Sequence, residues 1–333
     1  MKRAIRFCLI ALLFSSFSSQ SNARTFKIAT FAPAGTVWMK QMKKGAEIIN
    51  EKTQGRVKFK YYPGGVMGND ASVHRKIRIG QLHGGAFTSG GLAGFYPDIQ
   101  VLSLPMLFKS LDEVDYVRSK LDQVLKRNME NNGFVLLGIA EGGFARIMSK
   151  KPMADLKSIR ASKVWIPEGD VVVLETYRTF GISPISLPIS DVFTGLQTGL
   201  IETVSVNSTG AIAFQWHTST AYLTDIPLIY LTGLLAIQKK TFDKVSPEDQ
   251  VIVREAIGDA FKTLDTLNRA DNIQASEALK TLGIKFVKPG PEELKHWKTL
   301  SDQAIDNMIA DGTVSREIVD LVMGYLSTYR NNQ

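Results

Sequence analysis

The chain has one cysteine in 333 residues, and it is Cys8. Everything after it lacks a thiol, so no disulfide and no thiolate-bound metal can form there. Histidine is nearly as scarce. His74, His83, His217 and His296 lie too far apart for the spacing of a metal site. No Walker or dinucleotide-binding glycine pattern is present, and Gly84-Gly85 and Gly90-Gly91-Leu92-Ala93-Gly94 read as turns beside a strand. No serine stands in a nucleophile elbow. No apolar run reaches the roughly 20 residues that a membrane-spanning helix needs. Basic residues alternate with acids along the helical segments instead of forming blocks, which argues against a nucleic-acid partner. These absences speak against an enzyme, a metal and a cofactor.

What is present begins with a leader. Lys2, Arg3 and Arg6 precede the apolar run Phe7 to Phe14, and Ser21-Asn22-Ala23 supplies the small residues that a signal peptidase reads. The expectation is a signal peptide over 1–23, cleavage after Ala23, and export. An oxidising compartment suits a chain without thiols. Removing 1–23 takes away three basic residues and no acid, so the formal charge falls from +8 to +5. Apolar residues make up 44% of the sequence, enough for substantial cores, and about 310 residues suit two domains.

Strands and helices then alternate. Thr25 to Phe31 reads as a strand, Thr36 caps a helix to about Lys52, and Val57 to Tyr61 is a second strand. After the loop Pro63 to Gly68, Asp70 caps a short helix, and Gly84 to Thr88 is a buried strand. This order predicts an α/β fold with a mostly parallel sheet. A helix over Leu111 to Asn131 leads to a strand at Gly133 to Ile139, which Glu141-Gly142-Gly143-Phe144 breaks. A second β-α-β-α-β run follows. Its strands end at Val164-Trp165-Ile166-Pro167, at Leu187 and at Val206; Asp170 and Ser190-Asp191 open its helices, and Gly181 and Gly199 close them. Ser246-Pro247-Glu248-Asp249 then starts a proline-free helical pattern that runs to about Leu282. Either it hides a loop or it is one long helix lying over both domains, and the second is expected. The chain crosses between domains more than once. One lobe is expected from 24–145 with about 233–270, the other from 146–232 with about 271–330. Ligands of open α/β sheets bind at the carboxyl ends of strands. Two facing lobes therefore make a cleft that closure seals.

Four pieces in order carry a resemblance. They are Phe31-Ala32-Pro33 with Trp38 after it, Tyr61-Tyr62-Pro63-Gly64-Gly65-Val66-Met67-Gly68, Leu104-Pro105-Met106-Leu107-Phe108, and Val192-Phe193-Thr194-Gly195-Leu196-Gln197-Thr198-Gly199-Leu200-Ile201-Glu202. Together they resemble the DctP-like solute-binding proteins of tripartite ATP-independent periplasmic (TRAP) transporters. The resemblance implies a two-lobed periplasmic-binding-protein fold with mixed sheets, crossing hinge strands and a long spine helix. It implies capture of a small molecule and delivery to the small and large membrane subunits of a TRAP permease. The alternative is a ligand sensor or carrier that docks on another partner, such as a tetratricopeptide-repeat periplasmic protein.

Against that family pattern three positions depart. The strand before Pro167 usually carries an arginine that clamps the cargo's carboxylate, and here Trp165 stands in its place. One indole N–H cannot replace two parallel charge-assisted bonds. A second family arginine falls at Phe144, with Arg146 two residues on and on the same side of the strand. Arg146 either reaches the ligand or pairs with a surface acid. After Glu202, Val204 and Val206 replace polar residues, leaving Ser205 or Asn207 to hydrogen-bond. Three shifts toward apolar side chains imply an uncharged or largely hydrophobic cargo. Trp165 is expected to wall the cavity, the alternative being that it fills the site and closes it, with Val164 and Ile166 pointing into the core. Further lining candidates at strand ends and loops are Phe31, Met67, Asn69, Phe87, Thr88, Ser89, Glu168 and Trp216.

Overall fold

The computed structural model describes residues 23–333. The expected leader therefore lies outside the described residues, save for Ala23. The main sheet runs β2 (Val57–Tyr62), β1 (Arg24–Thr30), β3 (Gly84–Thr88), β8 (Tyr222–Gln238), β4 (Phe134–Ser149), β7 (Thr203–Val206), and β9 (Lys285–Val287) pairs with β8. β1 is parallel to both β2 and β3, so the carboxyl ends of these three strands leave the sheet at one edge of the first lobe. The expectation of a mostly parallel sheet is corrected: β3–β8, β8–β4 and β4–β7 are antiparallel, because β4 and β8 run in opposite directions between the lobes.

β4 and β8 are the crossing strands. Their far halves pair in the first lobe through Phe134↔Gln238 and Ile139↔Leu234, and their near halves pair in the second through Met148↔Leu223. Three register shifts interrupt the ladder, one of them between Glu141 and Gly143. The expectation that Glu141 to Phe144 ends the strand is corrected here. Gly143 takes a φ of +83°, and the extra residue is absorbed as a bulge while β8 goes on pairing. In the second lobe β5 (Trp165–Pro167) and β6 (Ile185–Leu187) are parallel, and a bridge from Val164 to Thr203 links them to β7.

The helices needed below are α1 (Val37–Lys52), α2 (Asp70–Arg78), α3 (Leu111–Asn131), α4 (Val171–Thr179), α5 (Val192–Thr198), α6 (Ser208–Ala213), α7 (Pro247–Thr281), α8 (Pro291–Ala310) and α9 (Arg316–Asn331). The long pattern after Ser246 is one helix, α7, of 35 residues. Its Val253, Ile257, Phe261 and Leu264 sit in the core of the first lobe with Met42 and Ile49 of α1. Its Leu279 sits in a core of the second lobe. Packing at both ends is what sustains so long a helix across the waist. At mid-length, Asn268 donates to the Glu141 carbonyl at 2.6 Å, and Arg269 pairs with the Glu141 carboxylate at 2.7 Å. The spine is thus clamped to the bulge of β4.

The C-terminal helices divide otherwise than expected. α8 starts on the second lobe, where Trp297 is fully buried, and ends with Met308 in the first-lobe core. α9 puts Ile318, Val319, Val322 and Leu326 into the cluster that holds Val117 and Leu121 of α3. Residues 271–330 therefore do not belong wholly to the second lobe. An amphipathic pattern says that one face is buried, but not against which partner.

Candidate functional site in the interlobe cleft

A cavity of about 50 Å³ lies where the two lobes face each other. From the first lobe it takes Thr30 and Phe31 at the end of β1, Phe87 and Thr88 at the end of β3, and Met67, Asn69 and Asp70 from the loop into α2. From the second it takes Pro167 and Glu168 after β5, and Pro188, Ile189 and Ser190 after β6. Most contributors sit at the carboxyl ends of strands or in the loops that follow them, the usual place for a ligand in open α/β sheets. Of the expected lining residues, Phe31, Met67, Asn69, Phe87, Thr88 and Glu168 are brought together here.

The charges are all of one sign. Among the described residues lining the cavity, Asp70 and Glu168 carry charge and none is lysine, arginine or histidine. Asp70 is not the cap of α2. Asn69 is, its Oδ1 accepting from the Ser72 N–H at 3.0 Å. Either residue suits that position, and since the amide takes it, the Asp70 carboxylate is left to the cavity. It lies against the backbone of Gly91, where a Cβ would come within 2.6 Å of Oδ2. Burial, with the negative charge of Glu168 second, pushes Asp70 up to about 6. His74, one turn along α2, stacks on Phe87 with ring centroids 5.1 Å apart, and its Nε2 meets the Gly91 carbonyl at 2.6 Å. Burial holds its imidazole below the ordinary value, so it is neutral at pH 7. Behind the cavity Asp170 caps α4, accepting from Val173 N–H at 3.1 Å and from Gln100 Nε2 at 2.7 Å. Asp70 was missed as a site residue because a cap and a ligand contact leave the same mark in a sequence, an acid at a helix start.

Trp165 does not reach the cavity. It is 3% exposed and packs with Val192, Leu196, Val204 and Trp216. Its ring meets Trp216 edge-on at 5.2 Å. The expectation of a cavity wall is corrected because β5 is buried on both faces. Val164 and Ile166 enter one core and Trp165 enters another, so alternation does not expose either face. Its role is one layer back. The Leu187 carbonyl of β6 accepts both Trp165 Nε1–H at 3.0 Å and the Glu168 N–H at 3.2 Å. Trp165 thereby ties together the two strand ends that deliver Glu168 and Ser190. An aromatic series, Trp165–Trp216–Phe214–Phe31, joins this core to the cavity.

The remaining expected contacts also lie elsewhere. Arg146 pairs with Asp225 at 2.9 Å. Phe144 packs edge-on to Tyr230 at 5.7 Å. The buried Ser89 hydroxyl bonds to Ser103 at 3.1 Å. Val204, Val206 and Trp216 are core residues of the second lobe. Asn207 caps α6 through Gly210 N–H and donates to the Gly142 carbonyl, which fastens α6 to the bulge.

At the mouth of the cleft a hydrogen bond spans the lobes: Asn69 Nδ2 donates to Glu168 Oε2 at 2.7 Å. Asn69→Ser retains a capping oxygen but cannot reach across. Its expected effect is a free protein whose closed population drops about fivefold, the equivalent of about 1 kcal/mol, with folding stability within about 0.5 kcal/mol of wild type. Small-angle scattering would show a larger radius of gyration, and an unchanged radius would contradict a latch.

The family model described as bacterial extracellular solute-binding protein, family 7 (DctP), matches residues 28–311. The chain is 24% identical over 250 residues to the 2,3-diketo-L-gulonate-binding periplasmic protein YiaO of Escherichia coli, covering 74% of this chain and 75% of that protein. It is 22% identical over 325 residues to the sialic acid-binding periplasmic protein SiaP of Vibrio cholerae, covering 95% and 99%. Its fold is similar to that of a TRAP periplasmic solute binding protein of Xanthobacter autotrophicus with bound β-D-galacturonate, with a TM-score of 0.83 at 20% identity over 91% of this chain and 99% of the other. With its crossing strands, its spine and a match over residues 28–311, the chain belongs to the DctP family of bacterial extracellular solute-binding proteins, and is not an enzyme.

Proposed function

We propose that the protein captures a small, non-acidic and largely apolar molecule between its lobes and passes it to the membrane subunits of a TRAP permease. The observation that carries this reading is the charge of the cavity, where Asp70 and Glu168 stand without a cation among lining residues such as Phe31, Met67, Phe87 and Ile189. YiaO, SiaP and the galacturonate-bound protein take acids. An acid in this cavity would meet carboxylates. Two like charges 4 Å apart repel by about 1 kcal/mol in water and by about 4 kcal/mol near a protein surface. That is as large as the gain from a charge-assisted hydrogen bond, about 1.5–3 kcal/mol. Arg146 does not reverse the balance, because Asp225 already occupies it. Nothing in the fold favours a tetratricopeptide-repeat partner over the permease.

Calorimetric titration with succinate, sialic acid and galacturonate tests the reading. No binding is expected up to millimolar concentrations. A micromolar dissociation constant for any of the three would overturn it.

A further inference from the structure

We infer that the cargo carries a protonated amine, seated between Asp70 of the first lobe and Glu168 of the second. The inference rests on the reading that a non-acidic molecule is captured in this cavity, and it names the class of that molecule. Asp70 is half-buried in the cavity wall, and no donor among the described residues hydrogen-bonds its carboxylate. The buried acid behind the cavity does have partners: Asp170 accepts from Gln100 and from the N–H of Val173 in α4. A half-buried carboxylate without a protein donor keeps only part of its hydration, and a ligand donor would make good the rest.

Glu168 stands at the mouth, exposed, and Asn69 Nδ2–H orients its Oε2. The two acids reach the cavity from opposite lobes. Closure therefore brings like charges together, and a cation between them turns that opposition into attraction. Only a ligand that interacts differently with the open and closed forms can drive closure, and an ammonium group meets that condition here.

The protein's own nearby cations do not compete. Lys76 Nζ is committed to the Met67 carbonyl at 2.6 Å, and His74 is neutral with its Nε2 against Gly91. Phe31 and Met67 line the same cavity, which suits an apolar stem behind the cation. The space of about 50 Å³ takes a few non-hydrogen atoms at this degree of closure. That fits an ammonium head and the first carbons behind it.

The test uses the exported chain and three matched probe sets by calorimetry at pH 7.5: propylamine, butylamine and 2-phenylethylamine, the corresponding alcohols, and the corresponding carboxylates. The expected result is that at least one amine binds tenfold or more tighter than its alcohol. Asp70→Asn should erase that preference, and Glu168→Gln should reduce it. The preference should also fade between pH 7 and pH 5 as Asp70 takes up its proton. Alcohols that bind as tightly as amines would overturn the inference while leaving the non-acidic reading in place. Carboxylates that bind tightest would overturn both. Failure of every amine to bind, or an amine preference that survives both substitutions, would also overturn it.

Discussion

Trp165→Ala is expected to destabilise the protein by about 3–5 kcal/mol, as large buried aromatics do, and Trp165→Arg by at least as much without creating affinity for acids. The indole is 3% exposed among Val192, Leu196, Val204 and Trp216. A guanidinium in that cluster would have no carboxylate to pair with, and an unpaired buried charge is strongly destabilising. Trp165→Phe separates packing from hydrogen bonding. It keeps most of the volume and removes one of the two donors to the Leu187 carbonyl, at a cost of about 1 kcal/mol. Because Glu168 N–H is the other donor, the phenylalanine variant should also loosen the cavity's second-lobe wall. Urea unfolding of the three variants, with a succinate titration of the arginine variant, checks the whole set. A Trp165→Arg protein as stable as wild type, or one that binds succinate at micromolar concentration, would mean that the side chain reaches the cleft after all.

Asp70→Asn is expected to stabilise the free protein above pH 6. The folded state raises Asp70 from its ordinary 3.8 to about 6, chiefly by burial and then by Glu168. A raised carboxyl favours the protonated form in the fold. Ionising it therefore costs nothing below pH 3.8, costs progressively more as pH rises toward 6, and costs the full amount above that. A shift of about two units corresponds to about 3 kcal/mol. Partial exposure of the carboxylate and its favourable place in the first turn of α2 reduce the net gain to about 1–2 kcal/mol. Thermal unfolding of wild type and variant from pH 4 to pH 8 should show two curves that meet near pH 4 and diverge upward. Parallel curves, or a variant less stable at pH 7.5, would show that Asp70 is satisfied in the fold. A stabilising substitution at a lining residue is the mark of a group kept for binding and not for folding.

Much of the architecture was legible because it rests on local chemistry. Ser246, Pro247 and the two acids after them start α7, and the absence of proline carries it to Thr281. Thr36, Asp170 and Gly199 cap where caps were expected. The strand-end logic also brought Phe31, Phe87, Thr88 and Glu168 to one cavity. Other readings failed for reasons that share one form. Gly142-Gly143 looked like a strand end, but a partner strand in register turned it into a bulge. Trp165 looked cleft-facing, but both faces of β5 are covered. Asp70 looked like a cap, but Asn69 took the bond.

By itself the sequence determined the α/β class, the spine and where many of the strands and helices fall along the chain, because hydrophobic period, caps and turn residues act over a few neighbours and need no knowledge of what lies across the chain. Only the tertiary structure decided which faces are covered and which charges converge. Asp70 and Glu168 are 98 positions apart in sequence, and nothing in either segment specifies that they share a cavity. Burial and electrostatic pairing depend on distances in space, and closing two lobes over crossing strands is what sets those distances here.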